Sequence, residues 1–201
     1  MSQTAKANQA AWDVGQMAHR LAEGYYTHLA VIQVAKEPRA VALSPAVESG
    51  QLVPVFRIPH KDGTRHEFHF TRHLDQARSN PEMIADLDRV WLVGALLTLG
   101  DALGKHKYFD HAPELELVRH LRNGVAHGNI FRIKLEHLAK RPAHNRLALV
   151  RSDSKAEFEI SPALQNRPVL FDFMGPGDIL HLLMSVSLYL IRMGNGDPLR
   201  P

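Results

Sequence analysis

The sequence predicts a mainly helical fold (α+β), in which a bundle of about four principal helices carries two inserted β-hairpins. Three observations lead to this prediction: long stretches with apolar residues at helical spacing, proline or glycine at the ends of those stretches, and two pairs of short segments around polar turns. No repeat or composition shift divides the chain, so residues 1–201 are assigned to one domain. Strand-containing insertions are predicted at 37–80 and 129–173, and the tail 195–201 is predicted to fray.

Composition limits the chemistry that the chain can support. With 201 residues it can fill one hydrophobic core, and the absence of cysteine excludes disulfides and thiolate sites. The net charge of +3 permits an anionic partner such as nucleic acid without requiring one. The first residues lack the apolar run of a signal peptide, and the apolar stretches 90–99 and 179–191 are too short or too interrupted to span a bilayer. A cytoplasmic protein without membrane contact is expected.

The N-terminal third is predicted to form a helix followed by a hairpin. Residues from about 5 to 36 are predicted to form one long helix or two abutting ones, with Gly24 as a close-packing point or a break, because this stretch lacks proline and Pro38 prevents it from continuing. After a loop, 51–58 and 65–71 are predicted as strands that flank a Lys-Asp-Gly-Thr turn. Residues 71–79 fit either a helical turn or a loop.

Four histidines near this hairpin resemble a metal-binding cluster when they are counted along the sequence: His60, His66, His69 and His73. Neighbouring side chains of a strand alternate between its two faces, so His66 and His69 are predicted to point in opposite directions. We therefore predict a solvated hairpin edge rather than a metal site, and no metal or other cofactor is assigned.

The clearest helix is predicted from Glu82, directly after Pro81, to about Lys105. Apolar residues wrap nearly all round it, which is typical of a central helix packed on several sides. The predicted core residues are Met83, Leu87, Val90, Trp91, Leu92, Val93, Leu96, Leu97 and Leu99. The glycines at positions 94, 100 and 104 are predicted to let neighbouring elements approach closely.

The C-terminal part is predicted to mix extended segments with one further helix. Short extended segments are predicted at 129–135 and 168–173, and a second hairpin is predicted from 146–150 and 156–160. The last helix follows a Gly-Pro-Gly-Asp sequence, in which the carboxylate of Asp178 suits the positive end of a helix.

A shorter amphipathic helix, Glu114–His127, lies between Pro113 and Gly128. One arc of its helical wheel is apolar and is predicted to face the core: Leu117, Val118, Leu121 and Val125. A second arc is predicted to present a basic, imidazole-bearing edge: Glu116, Arg119, His120, Asn123 and His127.

Common catalytic signatures are absent. The chain contains no P-loop, no G-x-S-x-G elbow and no H-E-x-x-H motif, and its Gly-Pro-Gly sequence lacks the third glycine of a dinucleotide fingerprint. What remains is Arg122-Asn123-Gly124-Val125-Ala126-His127. An arginine, a polar residue directly after it and a histidine after four intervening residues resemble the R-x(4–6)-H motif of HEPN domains.

The order of elements is also similar to that of HEPN domains: a long apolar helix, the motif helix and a final apolar helix. This similarity covers about Glu82–Val125 and the two end helices, whereas the inserted strands lie outside it. The resemblance implies metal-independent ribonuclease chemistry, in which a 2′-hydroxyl attacks the adjacent phosphate. It also implies a homodimer that brings two motif helices together.

The residue types suit that reaction. His127 is the candidate general acid or base, because imidazole titrates near neutral pH, and Arg122 is the candidate that neutralises charge developing on the phosphate. Asn123 would orient His127 or bind a phosphate oxygen, and Arg119 and His120 are predicted to bind the RNA backbone. On an ideal helix Asn123 and His127 are neighbours, whereas Arg122 and His127 lie about 140° apart, so a cleft shared by two copies is predicted.

Three functions stay open. The first is a HEPN-like endoribonuclease in a toxin–antitoxin or phage-defence setting, with RNA as substrate and an antitoxin or other protein as partner. The second is a non-catalytic HEPN-like binding or scaffold module for nucleic acid, nucleotide or a protein partner. For the motif itself a purely structural role also stays open, in which Arg122 caps a helix or forms a salt bridge and His127 only ends the helix. The third is a small-molecule enzyme or regulator with a pocket between the helices and the hairpins.

Overall fold

The computed structural model of the chain describes residues 8–47, 50, 53–140 and 158–199. The fold is mainly helical, with one small antiparallel sheet in the described part. The helices are α1 (Gln9–Lys36), α2 (Phe70–Ser79), α3 (Pro81–His106), α4 (Pro113–Ala126), α5 (Leu135–Lys140) and α6 (Pro176–Asn195). The strands are β1 (Val55–Pro59) and β2 (Arg65–His69), and short 3₁₀ turns cover Pro38–Leu43 and Pro162–Leu164. Within those ranges, no helix combines the length and the apolar character that crossing a bilayer requires.

The four principal helices expected from the sequence are α1, α3, α4 and α6. α1 is one continuous helix that ends before Pro38, and α3 and α4 begin at Pro81 and Pro113, where a missing backbone N–H costs no helical hydrogen bond. At the start of α6, Asp178 Oδ2 accepts a hydrogen bond of 3.0 Å from the backbone N–H of Gly175. The proline and glycine residues that flank these helices therefore predict their ends correctly.

The first hairpin is confirmed, with shorter strands than expected. β1 and β2 are antiparallel, Phe56 lies opposite Phe68, and the two rings stack with their centroids 5.5 Å apart. The predicted second strand extends too far, because α2 already begins at Phe70. Leu74 and Ala77 are the buried residues of α2, so residues 71–79 form a helix with one packed face.

The second hairpin lies mostly outside the described residues, and its described end, residues 158–160, forms no strand. The short extended segments predicted at 129–135 and 168–173 are not regular strands either. An isolated bridge joins Ile130 to Pro168, and Leu135 already begins α5. Phe131 is fully buried, so the apolar pattern reflects a side chain anchored in the core rather than a paired strand.

The prediction that α3 is buried nearly all round is wrong. The core-facing side carries Leu92, Leu96 and Leu99, whereas Leu87 and Val90 on the other side are 41% and 68% exposed. Gly94, on that same exposed side, has no neighbouring atom within 4 Å of the position that a Cβ would take, so it is not a point of close approach. An apolar helix can keep apolar residues at the surface, and periodicity alone does not identify them.

The chain forms two compact units: unit 1 consists of Met1–Gly24 and Arg89–Pro201, and unit 2 of Tyr25–Asp88. In unit 2, Tyr25 is buried, and its burial together with the charge and hydrogen bond of Asp88 raises the pKa of the phenol to about 12. The single domain predicted over 1–201 stays a prediction.

Unit 1 holds the motif helix in a leucine-rich core. A Cβ on Gly15 of α1 would lie 2.9 Å from Ile191 Cγ1 of α6, so these two helices pack closely. Tyr189 of α6 donates a hydrogen bond of 2.8 Å to the carbonyl of His111, two residues before the start of α4. The buried leucine and valine side chains of α3, α4 and α6 in this unit include Leu99, Leu103, Leu117, Leu121, Leu182, Leu183, Val186 and Leu190.

Candidate active site

The motif begins inside α4 and ends at the residue that caps it. The apolar arc is confirmed, since Leu117, Val118 and Leu121 have no exposed surface. The helix ends at Ala126, and His127 leaves the helical conformation with φ −109° and ψ 38°. The side chain of His127 is therefore exposed at the end of the helix rather than on its wheel.

Arg122 is directed toward α3. Its Nε and Nη2 donate hydrogen bonds of 3.0 Å and 2.7 Å to Oδ1 of Asp101. The aliphatic stem of Arg122 crosses Gly100, where a Cβ would lie 2.5 Å from the arginine Cγ. A side chain at position 100 would occupy the space of that stem, so glycine is what allows the arginine to lie in this direction.

Asn123 is joined to Arg122 rather than to His127. Its Oδ1 accepts a hydrogen bond of 3.4 Å from Nη1 of Arg122. Among the described residues, no hydrogen bond or ion pair links His127 to either side chain. The neighbour relation expected for Asn123 and His127 assumed a helix that continues through His127, and the helix ends one residue earlier.

The basic edge predicted on α4 is wrong for two of its members. Glu116 has no exposed surface and His120 is only 7% exposed. Arg119 Nη2 contacts Glu116 Oε1, and His120 Nε2 lies 3.4 Å from the same oxygen. Spacings of three and four residues bring both side chains to one buried carboxylate, which needs such partners in a core. His120 therefore lies in the interior, away from the surface on which it was expected to bind RNA.

A groove of about 440 Å³ lies between the end of α3 and the outer side of α4. Of the predicted site residues, Arg119, Arg122 and Asn123 line it. The α3 side contributes Asp101 and Lys105, and the connection to α4 contributes Phe109, whose ring lies across Gly104. Three cations and one carboxylate line this groove; because Arg122 is paired with Asp101 and Arg119 with Glu116, the positive charge of Lys105 remains and is suited to a phosphate group.

Sequence reasoning missed Asp101, Lys105 and Phe109. Asp101 and Lys105 are separated by one helical turn, and this spacing indicates a shared face but no role. Asp101 precedes Arg122 by 21 residues, and no pattern connects the two. Their pairing depends on how α3 and α4 pack against each other.

The histidines of the hairpin alternate as expected: His66 lies opposite Ile58 and His69 opposite Val55. Their strand positions therefore direct them to different faces. Among the residues that the structure describes, no group of three or more His, Asp or Glu side chains could hold a metal ion.

Comparisons of the chain with protein-family models, with curated proteins and with solved structures found no match. The side chains around Arg122 are therefore the basis on which a function can be inferred.

Proposed function

We propose that the protein is a HEPN-like endoribonuclease that cuts RNA without a metal ion. The observation that supports this proposal most directly is the positively charged groove in which Arg122 and Asn123 lie beside Lys105 and Arg119. Guanidinium, ammonium and amide N–H groups are the donors that proteins use to hold phosphate oxygens. The mainly helical fold is compatible with a HEPN-like bundle.

In the proposed reaction, a 2′-hydroxyl loses its proton and its oxygen forms a bond to the adjacent phosphorus. The bond from that phosphorus to the 5′-oxygen breaks, and the leaving oxygen gains a proton. Arg122 binds the non-bridging oxygens on which negative charge accumulates, and His127 transfers a proton as base or acid. The products are a 2′,3′-cyclic phosphate and a 5′-hydroxyl.

The proposal includes a homodimer. Arg122 is directed toward Asp101, and His127 is exposed at the end of α4 without a hydrogen bond to it. A second copy placed across a two-fold axis would bring its own His127 to the groove of the first. An RNA substrate, an antitoxin or other protein partner, a toxin–antitoxin or defence setting and a cytoplasmic location are part of the same proposal.

The test is cleavage of single-stranded RNA by the purified protein in EDTA. We expect the wild type to release fragments with a cyclic phosphate, and His127→Ala to lower the cleavage rate by about a hundredfold or more. The melting temperature should not change, because the His127 side chain is exposed. His60→Ala, which removes an exposed imidazole from the hairpin, is the matched control.

Cleavage that persists in both Arg122→Ala and His127→Ala would exclude this site. One observation favours a second candidate function, a non-catalytic HEPN-like binding module: Arg122 already has hydrogen-bond partners in Asp101 and Asn123. In that case the RNA would be bound by the protein and recovered intact.

A further inference from the structure

A second cavity, of about 590 Å³, adjoins the motif groove on the other side of α3. It is lined by Asp13, Met17 and Arg20 of α1 and by Asp101, Lys105 and His106 of α3. Asp101 and Lys105 also line the motif groove, so the last turns of α3 form a ridge between the two cavities. Both cavities belong entirely to unit 1.

The cations of the two cavities differ in their pairing. In the motif groove, Arg122 is paired with Asp101, and Arg119 contacts Glu116. In the described part of the chain, Arg20 and Lys105 form no ion pair, and both side chains are exposed. Neither side chain therefore has to give up an ion pair in order to bind an anion.

The carboxylates of the second cavity only partly offset its cations. Asp101 is paired with Arg122 on the far side of the ridge, whereas Asp13 accepts a hydrogen bond of 2.8 Å from the neutral amide of Gln9 and keeps its charge, so among the described residues two cations share the cavity with one carboxylate that is not in an ion pair. A lysine and an arginine that share a concave surface and form no ion pair attract phosphate groups. An anion that binds them displaces no ion pair, unlike one that binds Arg119 or Arg122 in the motif groove.

We infer that Arg20 and Lys105 bind the phosphate backbone of a single-stranded RNA as it passes over the ridge of α3, away from the bond that is cut. This inference rests on the proposed function, because the motif groove fixes one phosphate of the strand. A mononucleotide fills one cavity, whereas a flexible strand with several phosphates reaches both. The Phe109 ring beside the ridge adds an aromatic surface, as single-strand grooves commonly do.

The experiment measures the binding of fluorescein-labelled RNA by anisotropy, with a single-stranded dodecamer and a dinucleotide, in EDTA at several salt concentrations. We expect the double variant Arg20→Ala/Lys105→Ala to bind the dodecamer about tenfold more weakly than the wild type. The slope of log affinity against log salt should fall by about 1.4, as expected for two lost phosphate contacts with a single strand. Affinity for the dinucleotide should stay unchanged in the single variant Arg20→Ala, because Arg20 lines the second cavity and not the motif groove.

The matched control is Arg132→Ala/Lys134→Ala, which removes the same two charges from exposed positions outside both cavities. This control should bind the dodecamer as the wild type does, and melting temperatures of both double variants check that the fold is retained. Equal binding by the two double variants would overturn the inference. Competition by an acidic peptide at the same concentration as the dodecamer would also overturn the inference, since the surface would then bind a protein partner.

The two proposals fail in different ways. If RNA is bound through Arg20 and Lys105 but is never cut, the proposed activity is excluded and this inference is retained. If RNA cleavage depends fully on His127 but RNA binds equally well without Arg20 and Lys105, the proposed activity is retained and this inference is excluded.

Discussion

Asp101 determines how Arg122 is presented to a ligand. Two N–H groups of the guanidinium are bound to one carboxylate oxygen, and that carboxylate side chain is 63% exposed. A phosphate that binds Arg122 must therefore compete with Asp101 for the same donors. Exposed pairs of this kind contribute at most about 1 kcal/mol to folding, so the competition affects binding more than stability.

The substitution Asp101→Asn tests this competition. It removes one negative charge from the groove and releases the guanidinium, so we expect RNA affinity at low salt to rise about threefold to tenfold. The measurement is RNA anisotropy, with the melting temperature as a check on folding. Asp172→Asn is the control, because it takes a carboxylate from the exposed Arg167 pair, away from the groove. Weaker binding by Asp101→Asn would instead mean that Asp101 holds Arg122 in its working position.

Residue spacing placed Glu116, Arg119 and His120 on one arc of α4 but did not predict what surrounds them. Spacings of three and four residues on a helix allow Glu116 to contact Arg119 and His120. Residue spacing does not predict that these side chains are buried, because their burial depends on what covers α4. Arg20 and Lys105 are far apart in the sequence, and the packing of α1 against α3 within unit 1 is what brings them to one cavity.

Gly124, inside the motif, serves the packing of α4. A Cβ at this position would lie 2.3 Å from Cγ2 of Val169, and the carbonyl of Gly124 accepts hydrogen bonds from the N–H groups of His127 and Ile130. The glycine thus lets the segment around Val169 lie directly on the helix. Sequence reasoning gave this residue no packing role, because Val169 lies in a distant, irregular segment.

Gly124→Ala is expected to destabilise the protein by about 1–2 kcal/mol, since overpacking outweighs the gain in helix propensity. Gly94→Ala, at the exposed and open position of α3, is expected to stabilise it by up to about 1 kcal/mol. Denaturant unfolding measures both changes. Equal stabilisation by the two alanines would show that Val169 adjusts without cost.

The helices could be predicted more fully than the extended segments. Proline and glycine fix helix ends locally, so α1, α3, α4 and α6 were found close to their observed ends. A strand requires a partner from elsewhere in the chain, and an alternating pattern alone predicted segments at 129–135 and 168–173 that do not pair regularly. The division into two units could not be predicted from the composition, because α1 and α3 each contribute residues to both units.

At the level of the assembled protein, the proposed dimer predicts complementation. Arg122→Ala and His127→Ala should each be inactive, whereas an equal mixture that has exchanged subunits should recover about a quarter of the wild-type activity. The reason is that half of the dimers are mixed, and each mixed dimer keeps one intact pair of Arg122 and His127 from different copies. RNA cleavage before and after subunit exchange measures this recovery. No recovery, with a dimer present, would place both residues of a working site in one copy.

The direction of Arg122, a residue of the motif, depends on Gly100, which lies outside the motif. The stem of Arg122 occupies the space that any side chain at position 100 would fill. A side chain at position 100 would displace the arginine while leaving every residue of the motif unchanged. We therefore expect Gly100 and Arg122 to be retained or replaced together, although 22 positions of sequence numbering separate them.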